Sequence, residues 1–166
     1  MDFVRTQWLK PFRIGTLESN EKTVPIKPGI YVIMSLKAIN RVGGIDRAGV
    51  LYVGKAFWLR SRLKKFLYAD HIASYLLWRN LKIAQRVLGK KLLSRKSVEH
   101  NLGKVYTKVV TVERKELDTA ERAVLVAYMY RYGELPPLNF SLRNRLSHKP
   151  SKQILRWAEQ GIFQST

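Results

Sequence analysis

The chain contains no cysteine among its 166 residues, and its three histidines, His71, His100 and His148, are far apart in the sequence. A disulfide, a thiolate nucleophile and a thiolate zinc site are therefore excluded. Acidic residues are also scarce, because 12 Asp and Glu stand against 31 Lys and Arg, which gives a formal net charge of +19. Any metal ion bound by this chain would be a hard cation held by oxygen atoms.

Long apolar runs are missing as well. No stretch approaches the roughly 20 apolar residues that a membrane-spanning helix needs, and the first five residues lack the layout of a secretion signal. We therefore expect an intracellular protein without a membrane partner. The positive charge exceeds what solubility requires and indicates a polyanionic partner, with nucleic acid as the leading candidate, although an anionic membrane surface would also attract this charge.

The hydrophobic pattern predicts one α+β domain over 1–166, because a chain of this size buries a single core. A core over 28–142 is expected to hold a small three-stranded antiparallel sheet flanked by helices. Runs of β-branched and aromatic residues predict strands over 29–35, 49–54 and 105–112. Helical spacing predicts a helix over 58–66 and another from about Ser151 onward. A third helix is predicted to begin at a cap, which is Leu117, Asp118 or Thr119, and to end at about Tyr132.

Three further segments are predicted around this core. Residues 1–27 are expected to form an extended arm, and 143–166 a basic tail that contains a basic C-terminal helix. Residues 70–96 are expected to form an inserted amphipathic helix whose polar face carries basic residues without interleaved acids. A solvated face is the ordinary interpretation, but clustered cations favour contact with DNA phosphates. The candidate DNA-binding residues are Arg79, Lys82, Arg86, Lys90, Lys91, Arg95 and Lys96.

Two short tracts, Gly29-Ile30-Tyr31 and Tyr52-Val53-Gly54-Lys55, carry tyrosines on two predicted strands, and Arg62 follows on a predicted helix. Phenols beside an arginine suggest that phosphate is handled here. Together with Leu59, Leu63, Glu121 and Asn139, these tracts resemble the GIY-YIG nuclease superfamily, and 51–63 is most similar to the amino-terminal nuclease domain of UvrC-type excision-repair proteins. The resemblance covers about 28–139.

The resemblance implies a metal-dependent endonuclease that hydrolyses DNA. Tyr52 would be the base that takes a proton from water, Tyr31 would hydrogen-bond to the water or the phosphate, and Lys55 and Arg62 would supply positive charge. Glu121 would hold Mg²⁺, or Mn²⁺ in its place, and is favoured over Glu116. Asn139 is expected to brace the site. Gly29 and Gly54 are expected to let backbone and substrate approach closely.

One departure from the family is Phe66, which stands where similar nucleases have a histidine or tyrosine, so that Tyr68, His71 or a water would have to substitute. Three kinds of endonuclease remain open: a restriction-type enzyme, which is usually a homodimer, a structure-specific repair or recombination nuclease, and a nuclease from a mobile element. The alternative function is a non-catalytic nucleic-acid-binding protein that keeps the nuclease scaffold.

Overall fold

The computed structural model describes residues 3–13, 21–35, 38–68, 105–139 and 151–163. These residues form an α+β fold, in which helices pack on an antiparallel sheet. The strands are β1 (Phe12–Arg13), β2 (Gly29–Ser35), β3 (Ile39–Arg41), β4 (Gly44–Asp46), β5 (Val50–Ala56) and β6 (Val105–Thr111). The helices are α1 (Leu59–Tyr68), α2 (Leu117–Tyr132) and α3 (Lys152–Phe163).

The main sheet has the strand order β1-β6-β2-β5, and all its pairs are antiparallel. The three expected strands are the three long ones, although β5 continues past Gly54 to Ala56. These three strands form the expected antiparallel sheet, and the two residues of β1 add a short fourth strand at its edge by pairing with Tyr106 and Thr107 of β6. A two-residue strand is too short to leave an alternating pattern in the sequence.

Between β2 and β5 the chain forms a separate hairpin of β3 and β4. Its last residue, Asp46, is fully buried and accepts hydrogen bonds from the backbone N–H groups of Gly49 and Val50, at 3.1 and 2.8 Å. The hydroxyls of Tyr128 and Tyr132 on α2 also donate to this carboxylate, at 2.9 and 3.4 Å. The hairpin is thus tied to the second half of α2 by a satisfied buried polar group.

The N-cap of helix α2 lies just before the three residues that the sequence suggested for it. A 3-10 turn, Arg114–Glu116, leads into it, and the N-cap is Glu116, which makes no side-chain capping hydrogen bond. Asp118 and Thr119 therefore do not cap the helix, and the Asp118 side chain interacts with Lys55 instead. The C-terminal end agrees with the prediction, because Gly133 adopts a left-handed conformation with φ of 73°.

The amino-terminal segment packs against α3 rather than forming an extended arm. The rings of Trp8 and Trp157 lie 5.4 Å apart, and each indole N–H donates to a backbone carbonyl of the other segment at 3.2 Å. The backbone N–H of Leu9 also donates to the Val109 carbonyl on β6 at 2.9 Å. Although α3 carries basic residues, its apolar residues Trp157, Ala158 and Ile162 are buried. They belong to the same hydrophobic core as Ile30, Val32, Val124 and Tyr128.

The inserted basic helix expected over 70–96 lies outside the described residues, and so do its seven candidate DNA-binding residues. In the ranges that the structure describes, no helix combines the length and the apolar character needed to cross a membrane.

Candidate active site

Tyr31 and Tyr52 lie side by side on neighbouring strands. Tyr31 of β2 is paired with Gly54 of β5, and Tyr52 stands two residues before Gly54, so the two tyrosines project from the same face of the sheet. Their ring centroids are 6.0 Å apart, and a hydrogen bond joins their hydroxyl groups. Tyr31 is buried with 3% exposure, whereas Tyr52 is only partly buried. Of the two phenols, Tyr52 is therefore the one that solvent contacts more.

Gly54 allows the two tyrosine rings to lie this close together, because a side chain at this position would overlap them. A Cβ at Gly54 would lie 2.6 Å from Cζ and Oη of Tyr31 and 2.7 Å from Cε1 of Tyr52. At Gly29 a Cβ would lie 2.2 Å from the Val110 carbonyl oxygen and 2.5 Å from Cδ1 of Leu59. The expected close approach of backbone is thus confirmed at Gly29, whereas at Gly54 it is two tyrosine rings that approach closely.

Lys55 links the end of β5 to the start of α2. Its ammonium group binds the carboxylate of Asp118 and that of Glu121, the latter at 2.8 Å from Nζ to Oε2. Burial opposes the charged ammonium, but the hydrogen bonds that it donates to Asp118 and Glu121 outweigh burial and raise the pKa of Lys55. The same hydrogen bond lowers the pKa of Asp118. Two carboxylates therefore converge on one cation at this end of the sheet.

Asp118 is the site residue that sequence reasoning missed. It was interpreted only as a helix cap, although it stands three residues before Glu121. Residues three apart on a helix lie on the same face, so this spacing could have indicated a pair of carboxylates. Asp118 is more exposed than Glu121, with side-chain exposures of 80% and 22%.

Helix α1 presents Arg62 to the same region. Leu59 and Leu63 are fully buried, and this anchors the helix on the sheet while Arg62 remains exposed. Burial raises the pKa of both Tyr31 and Tyr52, and the positive charge of the Arg62 guanidinium opposes this rise at both phenols. The structure thus brings together the positions that the sequence analysis selected on β2, β5, α1 and α2.

Some surroundings of Tyr52 raise the pKa of its phenol and others lower it. Burial and, after it, the negative charge of Glu121 raise the pKa of Tyr52. The hydrogen bond from Tyr31 and the charges of Arg62 and Lys55 lower it, but the net direction is upward. Burial also raises the pKa of Tyr31. Without further positive charge, both phenols are therefore protonated at neutral pH.

Asn139 holds the backbone of β5. Its Oδ1 accepts from the Val53 N–H at 2.9 Å, and its Nδ2 donates to the Val53 carbonyl at 2.8 Å. The neighbouring Leu138 N–H donates to the Leu51 carbonyl at 3.0 Å. Val53 directly follows Tyr52, so the geometry at Asn139 is that of a brace, with its side chain engaged on the strand backbone.

Of the remaining candidate residues, Glu116 lies within the described residues, whereas the others lie wholly or partly outside them. Glu116, the competitor of Glu121, is buried with 8% exposure and precedes α2. Glu121 acts on both tyrosines, whereas Glu116 is not among the charges that shift their pKa values. The side chains of Phe66 and Tyr68, and the whole of His71, lie outside the described residues.

The donor set can be compared with the needs of a divalent cation. Among the described residues no three His, Cys, Asp or Glu side chains form a cluster that could enclose a metal ion. Mg²⁺ does not need such an enclosure, because it keeps several waters and takes one or two carboxylates together with substrate phosphate. Glu121 and Asp118, which already converge on a cation, fit this requirement.

Comparisons of the chain with protein-family models, with curated proteins and with solved structures give no significant match. The resemblance to GIY-YIG nucleases consequently depends on the motifs and on the side chains that meet at the site.

Proposed function

We propose that this protein is a metal-dependent DNA endonuclease of the GIY-YIG type. The observation that carries the proposal is the meeting of two hydrogen-bonded phenols with the charges of Lys55, Arg62 and Glu121. This set contains the groups that phosphodiester hydrolysis requires: a proton acceptor, positive charge for the phosphoryl oxygens and a carboxylate for a cation. The net charge of +19 suits DNA as the substrate.

Tyr52 is the proposed base, because it is less buried than Tyr31 and its phenolate form would accept a hydrogen bond from the Tyr31 hydroxyl. The hydrogen bond between the two phenols opposes the rise in the pKa of Tyr52 that burial causes. Tyr31 thereby stabilises the phenolate form of Tyr52, and Arg62 and Lys55 do so through their charge. Arg62 is also suited to bind the phosphoryl oxygens, because guanidinium is planar and remains protonated.

Glu121, assisted by Asp118, is the proposed ligand of Mg²⁺ or Mn²⁺. When bound, the ion would neutralise charge on the phosphoryl group as a Lewis acid. Lys55, whose pKa is raised by these carboxylates, stays protonated at neutral pH and holds them beside the end of β5.

The test is a plasmid-nicking assay with Mg²⁺ on the wild type and on Glu121→Gln and Arg62→Ala variants. We expect each substitution to lower the rate at least about 100-fold, which is the usual loss when a group that stabilises the transition state is removed. Glu159→Gln and Arg156→Ala make the same chemical changes at exposed positions of α3 and serve as matched controls. Equal cleavage by all five proteins would dismiss the site, and DNA binding without any metal-dependent cleavage would favour the non-catalytic alternative.

A further inference from the structure

Two large aromatic side chains are exposed directly beside the candidate active site. Phe57 and Trp58 follow β5 and precede α1, and they are 52% and 60% exposed. Phe57 lies only two residues after Lys55. Neither ring belongs to the buried core, so the packing of the fold does not account for them.

Trp58 is coupled to Arg62 by the geometry of α1. The Trp58 carbonyl accepts a hydrogen bond from the Arg62 N–H at 2.9 Å, which is the bond of one helical turn. Trp58 immediately precedes α1 and lies one turn before Arg62, the residue that the proposed function assigns to the phosphoryl oxygens. Both residues therefore stand at the end of α1 that follows β5.

Phe57 is held by a cation. The Arg114 guanidinium lies 4.4 Å from the centre of its ring, an arrangement in which the ring face attracts positive charge. Arg114 stands four residues before Asp118, so this contact runs beside the one between Lys55 and Asp118. Arg114 also lines an open surface groove together with Lys27 and Pro28.

We propose that Phe57 and Trp58 form a stacking platform for unpaired bases that flank the cleaved phosphate. Exposed aromatic rings interleaved with arginines bind single-stranded nucleic acid, because any base offers a flat face while the cations contact the backbone. A base inside an intact duplex is already stacked and has no free face. The inference rests on the proposed function and specifies it: the substrate is DNA with unpaired bases at the cut, as in a bubble or a flap, rather than continuous duplex.

The experiment measures binding without cleavage, in the Glu121→Gln background with EDTA. Oligonucleotides of one length are compared as continuous duplex, as duplex with a central bubble and as single strand, by quenching of tryptophan fluorescence and by anisotropy. We expect the bubble and the single strand to bind about tenfold more tightly than the duplex, and Trp58→Ala and Phe57→Ala each to remove most of this preference. Trp58→Phe, which keeps a stacking face, should retain most of it.

Tyr130→Ala is the matched control, because Tyr130 is another aromatic residue with 56% exposure and stands on α2. Thermal melting of each variant shows whether it is folded. Equal affinity of the wild-type background for duplex and bubble, or a preference that survives in both Trp58→Ala and Phe57→Ala, would overturn the platform. Quenching by anionic lipid vesicles but not by oligonucleotides would assign the rings to a lipid surface and would equally overturn it.

Failure of the platform and failure of the nuclease proposal give different results. If the platform is wrong but the nuclease proposal is right, the wild type still cleaves with Mg²⁺ while the binding preference is absent. If the nuclease proposal is wrong, no substrate is cleaved, whatever the binding measurements give.

Discussion

Replacement of Gly54 by alanine tests whether the position of the two phenols matters. The added Cβ would lie 2.6 Å from Tyr31 and 2.7 Å from Tyr52, whereas ordinary contacts are 3.4–4 Å long. Both rings would have to move by roughly 1 Å, and a displacement of this size at a reacting group costs on the order of 100-fold in rate. Gly54 is not among the glycines with positive φ, so the backbone itself accepts alanine.

The change should also affect stability. Inserting one carbon into a filled space costs about 1–3 kcal/mol. For a chain of this length, that corresponds to a fall in melting temperature of roughly 2–12 °C. The assay is plasmid nicking under single-turnover conditions, followed beside the melting temperature of the same preparation.

Gly161→Ala is the control for this prediction. A Cβ at Gly161 would lie 2.3 Å from the Trp8 ring, so this variant suffers a comparable clash at the contact between the amino-terminal segment and α3. We expect Gly161→Ala to lose stability with little loss of cleavage at a temperature where it is folded. If Gly54→Ala cleaved as fast as Gly161→Ala, the placement of the phenols would be irrelevant to activity.

Three other predictions follow from the same contacts. Asn139→Ala removes both hydrogen bonds to Val53, so we expect a loss of about 1–3 kcal/mol in the free energy of unfolding; unchanged denaturant midpoints would contradict the brace. Because the pKa of Tyr52 is raised above 10.0, the phenolate fraction increases about tenfold per pH unit below that pKa, and the log of the cleavage rate should rise with unit slope between about pH 7 and 9. A rate independent of pH in this window would exclude Tyr52 as the base. Asp46→Asn should lower the free energy of unfolding by about 3 kcal/mol, because an amide N–H would face donors that now bond to a carboxylate; chemical denaturation measures it, and a loss below about 0.5 kcal/mol would contradict this.

Much of the fold follows from local patterns. The β-branched and aromatic run from Gly29 to Ser35 predicts β2 correctly, and Gly133 predicts the end of α2. Both predictions depend on neighbouring residues only. The α+β class follows because strands and helices of this apolar character must be buried against one another.

The remainder depends on contacts between residues that are distant in the sequence. Nothing local distinguishes Asp46 in its glycine-containing turn from an ordinary exposed acid, yet it is fully buried because α2 brings two tyrosine hydroxyls to it. Likewise, Trp8 and Trp157 are 149 residues apart and meet only in the folded chain. Within the site, the residue types are predictable from the sequence. The contact between Asp118 and Lys55, and the two tyrosine rings that fill the space beside Gly54, depend on the folded chain and are not.

The hold of Asn139 on Val53 has a consequence for how two copies of this protein could associate. β5 is an outer strand of the main sheet, and outer strands are prone to recruit a strand from another molecule. Asn139 occupies the backbone N–H and C=O of Val53, and the Leu138 N–H occupies the carbonyl of Leu51, so these three groups are closed to a neighbouring chain. The part of β5 that carries Tyr52 is therefore protected against the addition of a strand from a second molecule.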